Sequence, residues 1–146
     1  MSRALWIVLC FSACTAAEPN GTPDGSVNVN SCEEARSHSD LAWIQAHVFT
    51  PSCARGGCHI SPAAGAGHLA LDAGQARGQL VNMASTSAAS WMRVVPSDAA
   101  RSYLLVAMGA QSGPRPSDGV MPLGSPPLCA DKIDAIRRWI QGGALP

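Results

Sequence analysis

Two cysteines and a histidine are concentrated in one short stretch of this chain. Cys53 is followed by four residues, then Cys58, and His59 comes directly after it. Two glycines precede Cys58, and they give the longer loop between the cysteines unusual backbone freedom. Such a stretch can attach a c-type haem, bind a metal ion, or hold a disulfide beside an uninvolved histidine.

The adjacency of Cys58 and His59 favours haem, because in a c-type site the histidine after the second cysteine binds the iron. The usual site has two residues between its cysteines, so the spacing of four makes the motif less specific. A structural zinc ion needs four ligands, and only His68 lies close by in sequence. A disulfide between Cys53 and Cys58 is feasible in an oxidising compartment. The residues alone leave these alternatives open.

The N-terminus predicts export. A basic residue, Arg3, precedes an apolar run at residues 4–11 that is too short to span a bilayer. Residues 11–14, F-S-A-C, resemble a bacterial lipobox with Cys14 as the lipidated residue; ordinary signal cleavage nearby is the alternative. We expect residues 1–14 to be a signal or lipoprotein segment of an extracytoplasmic protein. The location would be the periplasm or the outer membrane, with a lipid anchor holding the chain to the membrane surface.

The remaining chain divides into a linker and one domain. Residues 15–31 are rich in Pro, Gly, Asn and Thr, which predicts a flexible linker, and residues 32–146 are long enough for one folded domain. The net charge is zero and the basic residues are scattered, so no nucleic-acid partner is indicated.

Helical periodicity and the absence of strand alternation predict an all-α domain. The expected helices run over residues 39–49, capped by Ser39 and stopped by Pro51, over 72–81, capped by Asp72, over 97–108, and over 130–141. Few aromatic residues are available for the core, and residues 109–128 form a long loop without periodicity. A large apolar cofactor with a ligand on that loop would account for both features.

Four segments in order carry a resemblance to a known family. They are V-F-T-P-S-C-A-R-G-G-C-H at 48–59, R-V-V-P-S-D-A-A-R-S-Y-L-L at 93–105, G-V-M-P-L-G at 119–124 and I-D-A-I-R-R-W-I-Q-G-G-A at 133–144. Together they resemble a class I-like cytochrome c domain of exported proteins and lipoproteins from myxobacteria and planctomycetes. The resemblance implies a small helical domain with long loops around a haem c, which exchanges electrons with redox partner proteins.

The resemblance also implies roles for particular residues. Cys53 and Cys58 would be the thioether anchors, His59 the proximal iron ligand and Met121 the distal ligand. Met108 is the rival distal ligand, although it ends an apolar helical face that is more typical of a core position.

A disulfide follows from the same resemblance. The terminal helices of class I cytochromes cross and pack, so Cys32 and Cys129 are expected to form a bond between them. Among the other polar residues, His38 and His47 are expected to be at least partly exposed. His68 and Arg93 would lie either near the haem propionates or simply on the surface.

Two alternative functions stay open. If Met121 does not bind the iron, the chain would be a five-coordinate haem enzyme or sensor. If no haem is attached, it would be a cofactor-free surface module held together by disulfides.

Overall fold

The computed structural model describes residues 29–61, 66–117 and 119–146, and most of these residues lie in short helices or irregular loops. Within these ranges the backbone forms four isolated bridges but no strand, in agreement with the expected all-α class. The predictions for the signal segment, for lipidation at Cys14 and for most of the linker fall outside the described residues.

The described helices follow one another along the chain. They are α1 Val29–Glu34 with a 3₁₀ turn at Ala35–Ser37, α2 Leu41–Ile44 with a π-helical continuation at Gln45–Cys53, a 3₁₀ turn at Ala66–His68, α3 Ala76–Leu80, a 3₁₀ turn at Ala99–Arg101, α4 Tyr103–Ala107, and α5 Ala130–Gln141. None of the helices in the described ranges has the length and apolar character needed to cross a membrane. The first described helix, α1, begins three residues before the predicted boundary at Cys32.

The sequence placed α2 correctly but misjudged both of its ends. Asp40 is the N-cap instead of Ser39, because its carboxylate accepts a hydrogen bond from the backbone N–H of Trp43 at 2.8 Å. The helix also does not stop before Pro51 but widens into a π-helix that contains it. The proline has no N–H to donate, and the wider turns accommodate that loss while delivering Cys53 to the end of the helix.

Two other predicted helices are shorter than expected. Asp72 does not cap α3; its carboxylate accepts a hydrogen bond from the backbone N–H of Ser61 at 2.7 Å. The helix expected over 97–108 is broken at Ser102, whose buried hydroxyl donates to the carbonyl of Asp98 at 2.8 Å. This bond holds Ser102 in an extended conformation, so α4 begins only at the next residue.

The last helix, α5, has the bounds predicted from the sequence. Its buried face packs against the N-terminal segment, and Arg138 donates to the carbonyl oxygens of Ala35 at 2.6 Å and His38 at 2.8 Å. The disulfide expected between Cys32 and Cys129 is present at the same contact, with the two Cα atoms 6.3 Å apart. The first and last helices are thereby joined covalently.

The core lies between α2 with its π-helical continuation, α4 and α5. Its largest fully buried side chains include Ile44, Val48, Phe49, Leu80, Leu105, Ile136 and Ile140. Residues 109–128 lack helix in the described positions, as the absence of periodicity predicted. The loop therefore packs beside the helical core as irregular chain.

Candidate functional site

The π-helix ends at Cys53, and the residues that follow form a turn that is closed by backbone hydrogen bonds. The N–H of Cys58 donates to the carbonyl of Arg55 at 2.8 Å, and the N–H of His59 donates to the carbonyl of Cys53 at 3.1 Å. Gly57 occupies the left-handed region with φ of 80°, a conformation that disfavours any residue with a side chain. The backbone of the turn therefore brings His59 back to Cys53, and the joint role of Cys53, Cys58 and His59 in haem attachment stays a prediction.

The two cysteines of the turn are thiols in contrasting environments. Neither is in a disulfide; Cys53 is partly buried and Cys58 is exposed. Burial raises the pKa of Cys53 to about 12, with a further contribution from the neighbouring Cys58 thiol. The Cys53 thiol is therefore protonated at neutral pH, whereas Cys58 faces solvent and is open to reaction. The disulfide alternative for this pair has no support in the structure.

His59 is half-buried and held by the backbone on both sides. Besides its own N–H bond to Cys53, its carbonyl accepts a hydrogen bond from the N–H of Leu71 at 2.9 Å. Ring nitrogen Nδ1 is buried and has no hydrogen-bond partner among the described residues. Burial lowers the pKa of His59, so the neutral imidazole, the form that binds metal ions, is favoured.

The zinc alternative gains nothing from the fold. Within residues 29–61, 66–117 and 119–146, no three His, Cys, Asp or Glu side chains are grouped so that they would hold a metal ion. His68, the fourth ligand considered from sequence, is exposed.

Met121 lies on the long loop and is anchored to α4. Its N–H donates to the carbonyl of Ala107 at 2.8 Å, and its side chain is partly buried. The loop runs so close to the end of α4 that a Cβ atom on Gly109 would lie 3.1 Å from Val120 Cγ1. Met108 is only 8% exposed and belongs to the core. Met121 is therefore the more accessible of the two candidate sulfur ligands.

The structure does not join the two halves of the predicted ligand set. Among the described residues, no hydrogen bond links the Met121 loop to the turn that carries His59. The turn follows the π-helical continuation of α2, and the Met121 backbone is bonded to α4. Their pairing across a haem stays a prediction.

Arg93, which the sequence left either near the haem propionates or on the surface, is buried in the structure. It is 8% exposed, and its guanidinium donates from Nη1 to the carbonyl of Gln79 at 2.8 Å and from Nη2 to those of Gly67 at 3.0 Å and His68 at 3.4 Å. No carboxylate forms an ion pair with it in the described part of the chain. Burial of the His59 ring is the main cause that lowers its pKa, and the positive charge of Arg93 lowers this pKa further. The sequence signal was its position beside the apolar pair at 94–95.

His38 and His47 are partly exposed, as expected, but both also stack on another side chain. Their ring centroids lie 4.6 and 4.7 Å from the indole of Trp43. His38 also lies 3.0 Å from the carboxylate of Asp40. These rings stabilise the start of α2 and contribute nothing to the turn at 53–59.

Comparison with protein-family models, with curated proteins and with solved structures gives no match for this chain. The class of protein is therefore argued from the site itself.

Proposed function

We propose that this chain is a monohaem c-type cytochrome domain that transfers electrons and does not transform a substrate. The observation that carries the proposal is the pair of open thiols on a turn whose last residue is a histidine, closed by the His59 to Cys53 backbone bond. The other pair of cysteines in the described domain is already oxidised. A chain that keeps Cys53 and Cys58 reduced beside a neutral imidazole has the donor set for covalent haem attachment.

The environment of the turn fits this role. Each thiol would add to one vinyl group of the haem, and the exposed Cys58 is accessible for that reaction. The buried Nδ1 of His59 has no hydrogen-bond partner among the described residues, although backbone groups of Leu69 and Ala66 interact with the side chain and oppose the lowering of its pKa. His59 would be the proximal ligand and Met121 the distal one. Haem iron with histidine and methionine ligands supplies a one-electron couple of raised potential.

The remaining parts of the proposal concern location and partners. We propose an extracytoplasmic protein, in the periplasm or at the outer membrane, attached through a lipid on Cys14 and exchanging electrons with redox partner proteins. Support comes from the short apolar N-terminal run and from the Cys32 to Cys129 disulfide, a bond typical of oxidising compartments.

A five-coordinate haem enzyme or sensor is the second candidate function. The observation behind it is that the N–H of Met121 donates to the carbonyl of Ala107, which holds this part of the loop on α4. If the methionine stays on α4, the distal position is open to small ligands or peroxide.

An absorption spectrum separates these functions. The full chain would be produced together with a cytochrome c maturation system, and the haem would then be extracted with acid acetone. A Soret band that survives extraction demonstrates covalent haem. The matched control is a double variant, Cys53→Ala with Cys58→Ala, which should lose the band. A folded, colourless wild-type product with its Cys32 to Cys129 bond intact would contradict the proposal and favour a cofactor-free surface module.

A further inference from the structure

Arg93 connects parts of the chain that are far apart in sequence. Its guanidinium binds main-chain carbonyls of Gly67 and His68 on one side and of Gln79 in α3 on the other. Its own backbone is equally committed: its N–H donates to Met83 at 2.7 Å, and its carbonyl accepts from Leu104 at 2.9 Å. A single residue thus ties the 67–68 segment to α3 and to the start of α4.

The energetics of this arrangement favour a role in holding the chain. A buried guanidinium loses its hydration, and burial accordingly lowers the pKa of Arg93. Carbonyl oxygens replace part of that hydration, and the arginine in return donates to the carbonyls of Gln79 and His68, while the Gly67 carbonyl also accepts from Thr86 Oγ1 at 2.9 Å. Removing the guanidinium would leave the carbonyls of Gln79 and His68 without this donor.

The 67–68 segment leads directly to His59. Leu71, three residues beyond His68, donates its N–H to the carbonyl of His59 at 2.9 Å. The carbonyl of Leu71 in turn accepts from the side chain of Gln45 at 2.8 Å, so this strip of chain lies between the π-helix and the turn. Any shift of Gly67 and His68 is therefore passed along a few residues to the backbone of His59.

We infer that Arg93 is a positioning residue for His59, acting through the 67–71 segment that its guanidinium fixes to α3. It is not assigned to contact the haem. The inference depends on the proposed function only for the role of His59 as iron ligand, because the contacts that carry it lie entirely within the polypeptide.

The geometry of the two-sided contact makes arginine specific. The planar guanidinium presents separate nitrogens to Gln79 and to Gly67, whereas a lysine ammonium is a single point that cannot span both sides in the same way. Arg93→Lys keeps the positive charge but loses the hydrogen bonds that link Gln79 to Gly67, and Arg93→Met loses both but keeps the apolar stem. Comparing these two variants separates the effect of the hydrogen bonds from the effect of the charge.

Arg138 offers a matched control on the other side of the molecule. It too binds main-chain carbonyls through its guanidinium, those of Ala35 and His38, but it has no contact with the 67–71 segment. Arg138→Met should destabilise the domain by a comparable mechanism while leaving His59 in place.

The test uses the full chain produced without a maturation system, so that its result is independent of haem attachment. Ring signals of the histidines would be recorded by NMR in histidine-labelled protein and assigned with His59→Gln, and hydrogen exchange of the Leu71 amide would be followed in parallel. Arg93→Met should shift the His59 ring signals, leave those of His47 unchanged, and speed exchange at Leu71 by about tenfold or more. Arg138→Met should shift His38 and leave His59 unchanged.

Two results would overturn the inference. One is an unchanged His59 signal in an Arg93→Met protein that has lost as much stability as Arg138→Met, since Arg93 would then be only a structural residue. The other is full recovery of the wild-type His59 signal by Arg93→Lys, which would assign the effect to charge alone. If Arg93→Met does not fold, Arg93→Lys decides the question by itself: a folded protein with a shifted His59 signal supports bridging, and an unshifted one refutes it.

Discussion

The backbone N–H of His59 donates to the carbonyl oxygen of Cys53 at 3.1 Å, so the first and last residues of the motif are held together without any bond between side chains. The turn is consequently closed while both thiols stay free. The backbone bond therefore keeps Cys53 and His59 close together even though four residues lie between the two cysteines. The two thiols can be tested before any cofactor is added.

The two thiols should differ in their reaction with iodoacetamide. Cys58 is exposed, whereas burial raises the pKa of Cys53 to about 12 and shields it from the reagent. In the folded protein near pH 8, we expect Cys58 to be alkylated more than about tenfold faster than Cys53, as measured by mass spectrometry of peptides. In denaturant the two rates should become similar. Equal rates in the folded protein would contradict the structure of the turn.

Single substitutions of these cysteines should have unequal effects on haem yield. Cys58→Ala removes the anchor next to His59 and should abolish most covalent haem. Cys53→Ala removes the anchor at the far end of a glycine-containing loop and should leave some holoprotein with one thioether. Yields after acid-acetone extraction would measure both. Complete retention of covalent haem in both variants would disprove the attachment scheme.

Met121→Ala should convert an electron carrier into a ligand-binding protein. Loss of the sulfur should remove the weak charge-transfer band at the red edge of the visible spectrum and lower the potential by a sizeable part of the roughly 0.8 V range that axial ligands set. Cyanide and carbon monoxide should bind faster, and peroxidase activity should appear.

The control for Met121 is Met108→Leu. Met108 is a core residue, so this swap should cost less than about 1.5 kcal/mol and leave the spectrum unchanged. Retention of the wild-type band and potential in Met121→Ala, with loss of the band in Met108→Leu, would assign the distal position to Met108 instead.

Asp40 should make the stability of the domain depend on pH. Its hydrogen bond with His38 and then the N-cap bond from Trp43 lower the pKa of this carboxyl, so it holds its proton less tightly when folded than when unfolded. The stabilisation is therefore present above the ordinary aspartate pKa and is lost as the pH falls below about 4.

Urea unfolding of Asp40 variants would measure this effect. At neutral pH, Asp40→Ala should be less stable than wild type by about 1 kcal/mol, and the difference should shrink in acid. Asp40→Asn is the control, because asparagine can cap the helix but does not titrate. A constant difference between wild type and Asp40→Asn across the acid range would contradict the prediction.

Removal of the disulfide should destabilise the domain without changing the turn. The bond joins residues 97 positions apart, and the chain-entropy model gives on the order of 4 kcal/mol for a loop of this size. Unfolding of the double variant Cys32→Ala with Cys129→Ala would test that value. The alkylation difference between Cys53 and Cys58 should persist in the folded variant. Among the described residues, no backbone hydrogen bond joins residues 53–59 to Cys32 or Cys129.

Sequence interpretation succeeded where local patterns decide the structure. The last helix has an uninterrupted apolar stripe and a glycine pair after it, and its bounds were predicted correctly. The motif of Cys53, Cys58 and His59 was also singled out, because the glycines and the Cys-His adjacency are local signals, and its role in haem attachment stays a prediction. The pairing of Cys32 with Cys129 came from the resemblance and not from local patterns.

The errors arose where side chains satisfy backbone groups from a distance. Ser102 breaks a predicted helix through its hydroxyl, and Pro51 is tolerated because the helix around it widens. The burial of Arg93 was not predicted, because its partners are carbonyl oxygens, and every residue type supplies those. Such contacts cannot be recognised from the spacing of residues in the sequence. The relation of Met121 to His59 depends on how two separate units approach each other, which spacing does not encode either.

The Cys32 to Cys129 bond also determines how the domain would carry tension. If the chain is held by its N-terminus and pulled at its C-terminus, the force enters at α1, crosses the sulfur bridge at Cys32, and continues along α5. Every residue between the bridged cysteines lies in a covalent loop outside this load path. Cys53, Cys58, His59 and Met121 are all within that loop, so a tethered domain can be strained by flow or by a neighbouring surface without stretching the chain that carries its candidate site.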